Sequence, residues 1–319
     1  MKTKNRAEIW KQQKFNNSCA WDCLSMLLNT QGVETSSLEL VGSSHVPYQI
    51  SLKPEENLLK AGMLVQKDRN VNAVLGKFAF HLVSTRMPTI SDYIALARET
   101  LLNGNAFITN VNRACNLPGR HASIFTEFSN SCFTGLDPDC RLDRTKNYSF
   151  SDVQEIITLE FTEDEFISAV SGDEGFVPLL GILSPCDPHE PEPALLEDIF
   201  KTSEKALEFY ISVTSDLNFG TGESLPVTYS LLKPVLKPIV TDLRTAIEIR
   251  DAYLNKESEI ASFLKMFESE ILEFRRLVKN GEAIPGEIEN GLSVSLQKSY
   301  SILEKHLSFE TYRQNNGSN

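Results

Sequence analysis

Between Cys186 and Pro193 the chain reads CDPHEPEP, three prolines in eight residues. Each proline lacks an amide N–H and locks φ, so neither a helix nor a sheet interior runs through such a stretch. It is expected to be a linker, and the hydrophobic pattern differs on its two sides. Ahead of it lie short β-rich runs and short amphipathic segments. Beyond it the apolar residues recur at helical spacing. The expected architecture is therefore α+β in two parts: residues 1–186 with an antiparallel sheet, and residues 187–319 as an α-helical domain. The 319-residue length accommodates both.

In the first part, AWDCLSMLLNT (20–30) predicts a helix with Cys23, Met26, Leu27 and Thr30 on one face, closed by Gln31-Gly32. SDYIALARETLLN (91–103) predicts another, capped by Ser91 and ended by Gly104. AFITNV (106–111), HASIFTEF (121–128) and CFTGLDP (132–138) are close-set β-rich runs, and they predict an antiparallel meander. SFSDVQEI (149–156) and FTEDEFISAV (161–170) read as short helices with Ser or Thr caps, and FVPLLGILSP (176–185) as a buried strand. In the second part, Ile260, Leu264, Phe267, Ile271, Phe274 and Val278 follow 4-3-4-3-4 spacing, the seam of a helix bundle. Pro234 and Pro238 predict kinks or breaks. A last helix is expected over 288–307, and 311–319 as a frayed tail.

The net charge of −12, from 31 basic and 43 acidic residues, opposes a nucleic-acid partner, which needs a basic surface. It fits a cationic substrate or plain solubility. No apolar run is long enough to span a membrane, and MKTKNRAEIWKQQ lacks the apolar stretch of a secretory signal. A cytoplasmic protein is expected. Its six cysteines (19, 23, 115, 132, 140 and 186) are then reduced. Cys19 and Cys23 are spaced C-x3-C, unlike the usual zinc pair, and the third cysteine of an iron–sulfur motif is replaced by Met26. Neither a metal nor a cofactor is expected.

The candidate chemistry starts at Cys19. A thiolate at the first turn of a helix faces the positive dipole end and free backbone N–H groups, both of which favour it. His121 opens a predicted strand beside a loop and is placed to act as a base. Asp137 ends the next strand, where a carboxylate could fix the imidazole tautomer. Gln13, six residues before Cys19, is a candidate oxyanion donor alongside the Cys19 N–H. The competing assignments are Cys23 for Cys19, Asp139 for Asp137 and Gln12 for Gln13. Spacing favours Cys19, Asp137 and Gln13 over these competitors. His45 and His81 have no motif around them.

Gln13-x5-Cys19 before a helix, His121 on a strand and Asp137-Pro138 on the next strand together resemble the papain-like cysteine enzymes. The similarity is nearest to the bacteriocin leader-processing peptidases, whose nucleophile signature CGP-x-x-L-x-M is matched by Cys19, Leu24 and Met26 in CAWDCLSM. The usual Gly-Pro is Ala20-Trp21 here. The resemblance covers about residues 8–185, and no transporter membrane domain follows. A papain-like N-terminal half with a helical C-terminal half also resembles the butirosin-type acyltransferases. That resemblance implies an acyl-thioester on Cys19 and transfer of the acyl group from a carrier-protein thioester to a small amine in a biosynthetic pathway. The helical part would serve as lid, docking surface or homodimer contact. The same residues with water as acceptor would make a cysteine peptidase or amidase. A papain-like fold without activity would be a binding module.

Overall fold

The computed structural model describes residues 9–11, 15, 17–112, 120–138, 157–171, 178–217, 219, 228 and 230–316. Along the chain it forms α1 (Cys19–Thr30), α2 (Ser37–Gly42), β1 (Ile50–Lys53), β2 (Leu58–Ala61), α3 (Asp68–Leu75), β3 (Phe80–Arg86), α4 (Ile90–Leu102), β4 (Phe107–Asn112), β5 (Arg120–Ser129), β6 (Cys132–Asp137), β7 (Ile157–Thr162), α5 (Glu163–Val170) and β8 (Leu179–Pro185). Helices follow as α6 (Pro193–Thr214), α7 (Arg244–Leu254), α8 (Glu259–Asn280), α9 (Gly286–His306) and α10 (Phe309–Asn316).

The chain divides into two compact units: Met1–Leu40 with Val71–Glu190, and Val41–Asn70 with Pro191–Asn319. The later junction falls inside CDPHEPEP. The sequence division at 1–186 and 187–319 does not contain the excursion 41–70, which the structure assigns to the helical unit. Hydrophobic patterning shows that a hairpin has an apolar face but not which core that face joins.

The first unit is built on a six-stranded antiparallel sheet in the order β3-β8-β4-β5-β6-β7. Its centre is the expected meander, with Phe107 opposite Phe125 and Ile124 opposite Leu136. Successive residues of a strand face opposite sides, and both faces are covered. Ala122, Ile124 and Leu136 pack with Cys23, Met26 and Leu27 of α1. Phe107, Val111, Phe125 and Phe133 pack with Tyr93 and Ala97 of α4 and Phe166 and Val170 of α5. Gly135 lets β5 and β6 close up, because a Cβ there would lie 2.5 Å from the Ile124 carbonyl oxygen. A bulge between Phe125 and Glu127 interrupts the simple alternation read across 121–128.

Several local expectations change. α4 is capped by Thr89, whose hydroxyl accepts from the Asp92 N–H at 3.1 Å, and not by Ser91, which lies inside the first turn. Thr89 has the extended backbone that a cap requires, with φ −129° and ψ 160°. Strand β7 takes Phe161 and Thr162, which the sequence reading gave to the next helix. That helix begins at Glu163, behind a reciprocal Thr162–Glu165 capping box. The hairpin β1–β2 and strand β3 were not anticipated. The expected helix 149–156 lies outside the described residues.

In the second unit α8 carries the expected seam. Leu264, Phe267, Ile271 and Phe274 are buried, and Ile260 and Val278 flank them half-buried. Leu292, Leu296 and Leu303 of α9 belong to the same core, as do Ile50, Leu59 and Ala61 of the hairpin. The Ser203 hydroxyl binds both main-chain polar groups of Ile50, at 3.1 and 3.2 Å. The prolines do not break their helix. Leu232–Leu236 and Pro238–Leu243 form wide π-type turns that lead into α7, with Lys237 at φ −55° and ψ −43°. Wide turns shift the hydrogen-bond ladder and so absorb the missing donors. The expected tail is instead helical as far as Asn316, because Tyr312 is buried against Tyr48 and Phe200. Among the described residues no helix is long and apolar enough to cross a membrane.

Candidate active site

Cys19 is the first residue of α1. The chain reaches it through Asn17, held in the left-handed region at φ 63°, a conformation that asparagine tolerates better than most residues. Ser18 follows, with its hydroxyl 2.6 Å from Asp22 Oδ2 and 2.9 Å from the Phe15 carbonyl. These contacts tie the approach turn to the helix it starts. Cys19 is half-buried, whereas Cys23, one turn on, is fully enclosed in the α1–sheet core. Neither is in a disulfide, but their exposure separates the two candidates that sequence could separate only by spacing.

His121 is the second residue of β5, opposite Val111 of β4, and Asp137 is the last of β6. The antiparallel pairing brings the start of β5 beside the end of β6. His121 Nδ1 lies 3.1 Å from Asp137 Oδ1, with the histidine side chain 10% exposed and the aspartate fully buried. The imidazole also hydrogen-bonds Cys19. Cysteine, histidine and aspartate thus form one chain of contacts within the first unit.

Burial by itself pushes the His121 pKa down. Hydrogen bonds from the ring to Asp137 and Cys19, together with the charges of both, outweigh burial and raise it to about 9. The site accordingly holds an imidazolium at neutral pH.

This has a consequence for stability. A histidine whose folded pKa exceeds its unfolded value of about 6.5 stabilises the fold fully below that value, and the contribution is lost as pH rises through the folded pKa. The contribution here is roughly 3 kcal/mol, shed between about pH 6.5 and 9. Urea unfolding at a series of pH values should show the decline in the wild type and a flatter curve in His121→Gln. Parallel curves would remove the ion pair as a stabilising contact.

Of the four residues singled out from sequence, the structure joins Cys19, His121 and Asp137. Gln13 lies outside the described residues, as do its competitor Gln12 and Asp139. His81 lies half-buried on β3, and His45 is buried in the other unit. Two further residues touch Asp137. Ser123, fully buried, directs its hydroxyl to Asp137 Oδ2 at a long 3.4 Å. Its signal was present in the sequence: it stands two residues after His121, on the same side of the strand. The Trp10 indole donates to the Asp137 main-chain carbonyl at 2.9 Å, and nothing in the sequence marked that contact. Among the described residues no group of three or more His, Cys, Asp or Glu side chains is placed to hold a metal ion.

Compared with models of known protein families and with curated proteins, the chain matches none.

Proposed function

We propose that this protein is a papain-like cysteine acyltransferase, with Cys19 as nucleophile, His121 as acid and base, and Asp137 as the group that orients and charges His121. The observation that carries the reading is the position of His121, bonded at once to a half-exposed thiol at a helix start and to a buried carboxylate.

In the first half-reaction the Cys19 thiolate attacks the carbonyl carbon of a thioester donor. A new C–S bond forms, the donor C–S bond breaks, and the departing thiolate takes the His121 proton. In the second, an amine attacks the acyl-Cys19 carbonyl and gives its proton to His121 as the C–S bond to Cys19 breaks. The thiolate–imidazolium pair is then restored. The Cys19 backbone N–H and the Gln13 side chain are the proposed donors to the oxyanion. A second unit with its own core, 41–70 and 191–319, is more chain than hydrolysis needs and fits a reaction with a second substrate or a carrier protein.

The test uses full-length protein, a simple acyl thioester and a panel of small amines, followed by mass spectrometry. An acyl adduct on Cys19 and amide as the main product are expected. An adduct with only carboxylic acid released would make the protein a hydrolase, and no adduct from thioester or peptide would leave a binding module.

A further inference from the structure

The indole of Trp10 ties the N-terminal segment to the main chain of Asp137. It donates to the Asp137 carbonyl at 2.9 Å across 127 positions of sequence. Its neighbour Ile9 is buried with Ala122 and Leu136, against the same two strands. Asp137 stands where such a restraint can act. It is the last residue of β6, paired with Ile157 of the outermost strand β7, and Pro138 after it has no N–H with which to extend the ladder. A terminal strand residue can swing about its Cα, and a 3.1 Å ion pair to a buried ring tolerates little of that.

We propose that Trp10 is a positioning residue: its indole N–H latches the Asp137 main chain so that the carboxylate stays against His121. This rests on the cysteine–histidine–aspartate reading of the site. The contact is to a main-chain oxygen and not to the carboxylate, so it acts through position and leaves the carboxylate's own basicity alone. The latch also fixes the chain three residues before Gln13 in the sequence. Among the described residues, the titratable groups that act on His121 are Asp137 from β6 and Cys19 from α1, while its β4 partner is the apolar Val111. A change in the His121 titration therefore reports on one of those two contacts.

The experiment is a histidine NMR titration of the full-length protein, with His121 assigned by its absence in His121→Gln. The wild type is compared with Trp10→Phe and with a protein carrying benzothienylalanine at position 10, which keeps the bicyclic ring and has sulfur in place of N–H. In both variants the His121 pKa should fall by about half a unit to one unit, roughly a three- to tenfold loss of proton affinity, the scale of one hydrogen bond. The Cys19 alkylation profile should shift in parallel. If the wild-type His121 titrates high and the benzothienyl protein titrates identically, the latch is wrong and the array stands. If the wild-type His121 titrates near its ordinary value, the array itself is wrong.

Discussion

Cys19→Ala is expected to abolish acyl-enzyme formation, with a loss of about 10⁴- to 10⁶-fold in turnover, the scale for removing a covalent nucleophile. The protein should stay folded, because Cys19 is only half-buried and lies at the rim of the α1–sheet core. Cys23→Ala should do the opposite. It leaves a small void in a fully enclosed site, costs about 1 kcal/mol of stability, and spares the chemistry. Intact-mass analysis after brief iodoacetamide treatment near neutral pH separates the two, with Cys19 carrying the first adduct. A first adduct on Cys132 or Cys186, the other half-exposed thiols among the described residues, would undo the assignment.

His121→Ala should cost about 10²- to 10⁴-fold in acylation of Cys19, the range of a positioned acid–base group. Adding it to Cys19→Ala should change little more, as the proposed joint action of the two requires. Asp137→Asn should be milder at its optimum pH, because an amide can still face the ring. Its pH dependence should nevertheless move. Burial lowers the His121 pKa, and the Asp137 hydrogen bond and charge are among the contacts that reverse it. In Asp137→Asn burial is less opposed, the ring loses its proton at lower pH, and the alkaline side of the Cys19 alkylation profile shifts downward. An Asp137→Asn protein with the wild-type profile would show that the buried carboxylate does not charge the imidazole.

The site was legible in the sequence where chemistry is written into local position. A cysteine at a helix start, a histidine opening a strand and an aspartate closing the next strand are each visible as a residue type beside an element boundary. Antiparallel pairing then brings the last two together. Ser123 was within reach of the same logic, through its spacing from His121. Trp10 was not, because a side chain that bonds a main-chain oxygen 127 residues away leaves no periodic trace. The helical seam on α8 was legible because one face of one helix repeats. The hairpin 50–61 was not, because the core it joins is built from residues that lie far along the chain. The fate of Pro234 and Pro238 turned on hydrogen-bond register, which composition does not carry. Tyr312 turned a nominal tail into helix through aromatic neighbours that only the tertiary structure supplies.

The excursion 41–70 has a consequence for how the site is strung together. The chain crosses between units at 40/41, 70/71 and 190/191, so the first unit consists of two pieces. Cys19 belongs to the piece ending at Leu40, and His121 and Asp137 belong to the piece starting at Val71. The chain between Cys19 and His121 therefore runs through a 30-residue span, 41–70, whose folded form belongs to the other unit. While that unit is folded, the span is already paid for in conformational entropy. If it melts, the same span becomes a slack loop, and closing a loop of that length costs about 3 kcal/mol.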